Sequence, residues 1–102
     1  MNDKLATYLG FAIKSRNIVY GVDNIESNAA RICMVLIDDT LATNSLNKLK
    51  NIALKSNIKL YRVVDTTLDM LLNSNNCKAI GLTSVGLANA IRELNVISEV
   101  RN

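Results

Sequence analysis

The stretch Arg31–Asp39 reads Arg-Ile-Cys-Met-Val-Leu-Ile-Asp-Asp, and its reading decides the fold. The apolar run from Ile32 to Ile37 stands between an arginine and two aspartates. A membrane span needs ~20 apolar residues, so this run is too short to be one. It also lacks the polar–apolar alternation of a half-exposed strand, which predicts burial on both faces. A strand covered on both sides needs helices as covers, and the flanking sequence has helical patterning on either side. The expected fold is therefore α/β: a three-layer α-β-α sandwich with a small mixed four-stranded sheet, this run at its centre.

The chain of 102 residues makes one domain, 1–102, because two halves would each be too small to bury a useful core. With 49% hydrophobic and 21% charged residues it has the composition of a globular protein rather than a disordered one. Histidine is missing altogether, and with it the side chain best suited to proton transfer near neutral pH, which argues against an enzyme. The formal net charge is +3. Residues 31–64 carry the excess, with Arg31, Lys48, Lys50, Lys55, Lys59 and Arg62 against Asp38 and Asp39. Cys33 and Cys77 belong to no CxxC pair and read as buried free thiols, so no metal or other cofactor is expected. The start Met-Asn-Asp-Lys leads into a mixed helix and not into the apolar core of a signal peptide. A reducing cytoplasm is the expected compartment.

Taken in order, Leu5, Tyr8, Leu9, Ala12 and Ile13 form the stripe of a first helix over 4–15, with Asp3 as its N-cap. Gly10 inside it costs ~1 kcal/mol relative to alanine, which predicts close approach of a neighbouring element. Ile18–Tyr20 is a short strand ending at Gly21. A second helix follows to about Ala30, with Val22, Ile25, Ala29 and Ala30 inward. After the central strand, Asp38-Asp39-Thr40 opens a third helix reaching Asn57, capped by Asp39 or Thr40, with Leu46, Leu49, Ile52 and Ala53 on its buried side. The aspartate pair could otherwise hold magnesium, but no third carboxylate joins it. Lys59–Val64 is a strand, and Thr66 or Thr67 caps a helix over 68–72. Asn73–Asn76 is a polar loop, and Lys78–Leu82 a strand. Thr83 or Ser84 caps the last helix, which carries Leu87, Ala88, Ile91 and Leu94, and the tail Ser98–Asn102 is expected to fray.

Several strings, in this order and spacing, resemble the ribosomal L7Ae/L30e family, in particular its small bacterial members of the YlxQ type. They are Leu9-Gly10-Phe11-Ala12 with Lys14, Ile18-Val19-Tyr20-Gly21, Val35-Leu36-Ile37-Asp38-Asp39, Asn57-Ile58-Lys59-Leu60-Tyr61, and Ala79-Ile80-Gly81-Leu82-Thr83 with Gly86-Leu87-Ala88. The resemblance covers nearly the whole chain. It implies an L30e-like sandwich that binds RNA, often at kink-turns, through the start of the second helix and neighbouring loops. The family's Gly-x-Asn-Glu-x-x-Lys motif falls on Gly21, Asp23, Asn24 and Ser27, of which only the glycine is retained. Loss of the lysine removes a phosphate contact, so RNA binding in general survives these departures better than kink-turn specificity does.

The resemblance thus implies a non-catalytic, ribosome-associated or structured-RNA-binding protein of the translation machinery, monomeric when free and with no membrane partner. Its expected RNA-binding residues are Lys14, Arg16, Gly21, Asp23, Asn24, Ser27, Arg31, Thr66 and Thr67. Amides at the Gly21 turn suit a phosphate or a base edge, and the cations supply charge. The weak charge and the lost lysine motivate a different class of function, a protein-interaction module that keeps the fold and has given up RNA.

Overall fold

Met34 to Ile37 show why the run has no alternation: their side chains alternate between two separate cores. Met34 and Leu36 pack into one core, Val35 and Ile37 into the other, and all four are buried. The computed structural model describes residues 3–74 and 76–100, with only the backbone at Asp3. The first core is closed by α1 (Asp3–Lys14), α4 (Leu68–Leu72) and α5 (Val85–Arg92) through Leu5, Leu9, Ala12, Leu68, Ala88 and Ile91. The second is closed by α2 (Val22–Ser27) and α3 (Thr43–Ser56) through Ile25, Leu49, Ile52 and Ala53. The result is the three-layer α-β-α sandwich.

The sheet comprises β1 (Ile18–Tyr20), β2 (Met34–Ile37), β3 (Lys59–Val63), β4 (Ala79–Leu82) and β5 (Ile97–Glu99). Its order is β1-β4-β2-β3-β5, which puts the decisive run in the middle. Only β2 and β3 are parallel, with Val35 opposite Leu60; the other pairs are antiparallel. The expected four strands are therefore five. The tail expected to fray forms β5 instead, because Ile97 can half-bury against the first core and Val100 N donates to Leu60 O at 2.8 Å. Residues 101 and 102 lie outside the described residues, as do the Asp3 side chain proposed as a cap and Asn75 of the polar loop.

Three further expectations change. A β-carbon on Gly10 would meet nothing within 4 Å, so no element approaches it; Gly81 is the tight position, where a β-carbon would sit 2.7 Å from Ile32 Cδ1. The helix after β2 begins at Thr43 with Ala42 as its N-cap and no side-chain cap, so neither Asp39 nor Thr40 caps it. Asp38 is instead buried, accepting from Thr40 N (2.9 Å), from the Thr40 hydroxyl and from Leu68 N (2.7 Å). Its carboxylate ties the end of β2 to the first turn of α4, a bond no local pattern announces. Finally, α2 stops at Ser27 and a 3-10 turn covers 29–31, leaving Ala30 exposed; Ile13 is also exposed, at the end of the α1 stripe. The two thiols are free and half-buried. Thr67 and Ser84 cap α4 and α5 as expected, accepting from Met70 N and Leu87 N at 3.3 Å each. Among the described residues no helix is long and apolar enough to cross a membrane.

Candidate nucleic-acid interface

Gly21 follows β1 and caps α2 with φ 86° and ψ 156°, a backbone region essentially closed to residues with a β-carbon. Its amide donates to Ala79 O at 3.0 Å, fixing the turn against the start of β4. Asn24, one turn into α2, donates from Nδ2 to Tyr20 O at 2.8 Å and closes the turn from the other side. Because β1 runs antiparallel to β4, the residues leading into β4 lie beside this turn. Together they line an open cleft of about 320 Å³ formed by Tyr20, Gly21, Ser74, Asn76, Cys77 and Lys78. Tyr20 is exposed here, and burial of part of its ring together with the nearby Cys77 thiol raises its phenol pKa above the ordinary value.

The far wall of the cleft is organised by one carboxylate. Asp69 accepts from Cys77 N (2.6 Å), Asn76 N (3.0 Å) and the Ser74 hydroxyl (3.3 Å). The Cys77 amide is the main reason its pKa is lowered; the bonds from Asn76 and Ser74 and the Lys78 charge act the same way, against an opposing desolvation. Lys78 Nζ donates to Asn76 Oδ1 at 3.2 Å, which leaves an ammonium on the rim. Burial raises the Cys77 pKa, so the thiol stays protonated at neutral pH and is a poor nucleophile.

Beside the cleft α2 presents Asp23 and Glu26, which share Lys48 of α3 at 2.9 and 3.4 Å. The bond to Asp23 is the main cause of the raised Lys48 pKa. Asp39 pairs with Arg62, whose Nε lies 3.0 Å from Oδ1 without the alignment of a hydrogen bond. Among the described residues no three His, Cys, Asp or Glu side chains gather as a metal site.

The expected site residues divide between the two ends of the sheet. Gly21, Asp23 and Asn24 stand at the cleft end, and Thr66 and Thr67 follow β3 at that same end. Thr67 spends its lone pair on the α4 cap. Ser27 lies along α2 with its hydroxyl donating back to Asp23 O at 3.1 Å, as serines in helices do. Lys14, Arg16 and Arg31 precede β1 and β2 and stand at the opposite end, where Thr83 N donates to Asn17 O and Cys33 N to Leu82 O. Asn17 and the three residues of β1, the latter at ~3.3 Å each, separate Arg16 from Gly21. Tyr20, at the turn expected to touch RNA, and Lys78, which was absent from the expected set, both belong to the cleft. The polar loop before β4 pointed towards them; the pairing of Tyr20 with Ile80 was needed to place them.

No family model matches the chain, and a search of the curated proteins gives no match. Among solved structures the chain is similar to a protein of unknown function from Bacillus halodurans, with a TM-score of 0.79 and 17% identity over 89% of this chain and 95% of that one. At that identity the likeness shows the fold: the α/β sandwich is shared along nearly the full length of both chains.

Proposed function

We propose that this protein is a non-catalytic RNA-binding protein that takes structured RNA at the Gly21 end of its sheet. The reading includes its residence in the cytoplasm, a ribosome-associated role, and a monomeric free form. It rests on the resemblance to YlxQ-type members of the L7Ae/L30e family and on one geometric observation. That observation is the cleft in which the Gly21 turn meets Ser74, Asn76 and Lys78 beside the exposed Tyr20. A turn without a β-carbon lets a ligand backbone come close, amide and hydroxyl groups can meet phosphates and 2′-hydroxyls, and a tyrosine face can stack on a base. Kink-turn-like RNA is the specific class the resemblance implies.

Titration of variants against ribosomal RNA fragments and a standard kink-turn tests the reading. Lys78→Ala should weaken binding to many RNAs alike and lower the log–log salt slope by about one. Asn24→Ala should loosen the turn and change the preference among RNAs. Asp23→Asn removes a carboxylate and releases Lys48 from its closer partner, so binding should tighten. If all three bind as the parent does, the cleft is not the RNA site. A second reading, a protein-interaction module, is favoured by the adjacent carboxylates of Asp23 and Glu26, which meet an approaching polyanion with only Lys48 between them. Absence of RNA binding by the parent protein would select it.

A further inference from the structure

The chain ends three helices with the same cap. In α3 and α4 the residue after the helix, and in α1 the second residue after it, takes positive φ, and the next amide reaches back five residues to a carbonyl: Asn17 N to Ala12 O, Ile58 N to Ala53 O, and Ser74 N to Asp69 O. The positive-φ residues of these caps are Arg16 (59°), Asn57 (56°) and Asn73 (52°). Among the described residues, the other non-glycine positions with positive φ are Asp65, Asn76 and Asn95. Asparagine and aspartate enter this region cheaply, whereas arginine gains nothing from it. Arg16 is the exception, and its exposed side chain stands among other cations.

Those cations come from elements distant in sequence that reach the same end of the sheet. Lys14 ends α1, Arg16 leads into β1, Arg31 leads towards β2, Lys55 ends α3 and Lys59 opens β3. The strand order carries them across β1, β4, β2 and β3, three inter-strand steps of ~4.8 Å, or roughly 14 Å. All five are exposed. Among the described residues, Lys14, Arg16, Arg31 and Lys55 enter no ion pair, and Lys59 faces Glu99 at 3.6 Å. The helix dipole accounts for Lys14 and Lys55 at helix ends. It does not account for Arg16, which sits where the fold favours glycine.

We propose that this end of the sheet, opposite the Gly21 cleft, is a second nucleic-acid surface that takes the phosphate backbone of an RNA duplex. Separate cations spread over such a distance suit repeated phosphates, which position a partner without reading its sequence. The carboxylates of Asp23, Asp39, Asp65 and Asp69 lie towards the other end, with Lys48, Arg62 and Lys78 among them, whereas of the five cations at the proposed surface Lys59 alone faces a carboxylate among the described residues, Glu99. The inference rests on the RNA reading only for the identity of the polyanion. The protein then joins two RNA segments, one at each end.

The test uses the full chain, a 16-base-pair RNA duplex as probe, and affinity measured across a salt series. Arg16→Gly should fold with a melting temperature at or above the parent's, since glycine relieves the positive φ, and should still lose duplex affinity. Arg16→Lys should restore most of that affinity. Each cation removed in the series Arg16→Gly, then Arg31→Ala, then Lys55→Ala should lower the salt slope by about one. Arg92→Ala, which removes an exposed cation from the far end of α5, should leave the slope unchanged. An equal fall with Arg92→Ala means that only net charge matters, and the surface is refuted. Displacement of the duplex by polyglutamate with equal potency at matched charge identifies an acidic-protein site and also refutes it. If the triple variant keeps the duplex slope while Lys78→Ala impairs structured RNA, the second surface is absent and the cleft reading stands. The reverse result leaves the second surface alone.

Discussion

Asp69 holds a loop through its charge, and its pKa shift makes that hold pH-dependent. Its folded pKa lies below the ordinary carboxylate value, so the stabilisation is complete above that value and lost as pH falls through the folded pKa. Amide exchange at Cys77 should therefore speed up, relative to that of β4, as the pH drops below about 4. Asp69→Asn should abolish that dependence and should expose Cys77 to alkylation at neutral pH. Exchange that tracks global unfolding at every pH would remove the loop-specific role. In the core, Leu36→Ala should cost ~2–5 kcal/mol in urea unfolding, since the side chain is fully buried. Single residues whose work is local were legible in advance: Thr67 and Ser84 as caps, Gly21 at its turn. Asp38 was not, because the Leu68 amide it holds lies thirty positions along the chain.

Elements were legible where one face is apolar and the period is clear, as in α1, α3 and α5. Their edges were less so, since α3 starts at Thr43 rather than at the aspartates and β5 appeared where polar residues suggested fraying. That strand gains its place from pairing with β3, and three residues carry too little pattern to announce it. Its effect can be tested by ending the chain at Val96. The uncovered β3 edge should then pair with other copies, so sedimentation should show more self-association than in the parent. Between β4 and the turn before β2, the contact is set by Gly81 and Ile32. Gly81→Ala should destabilise by ~1–3 kcal/mol through overpacking, and adding Ile32→Val should recover part of it by removing Cδ1. If the two changes prove additive, the clash is not the cause.

Over the whole molecule, the sequence shows which residues carry charge and hydrogen-bonding groups, and strand order shows which of them can act together. Lys14 and Arg16 are close to Gly21 along the chain, yet β1 carries them to the other end. Lys78 is remote along the chain and stands beside Gly21. The order of the strands also bears on how the chain is made. β4 lies between β1 and β2 and bonds to both, although it is synthesised after each of them. Until residues 79–82 leave the ribosome, β1 has no strand to join, and only β2 and β3 can pair. A fragment of residues 1–78 should show no cooperative thermal transition, whereas the full chain should melt in one. Biogenesis thus has a checkpoint: the nascent protein carries an unfilled slot until residues 79–82 emerge, and it joins β1 to the rest of the sheet only by threading a newly made strand into the middle.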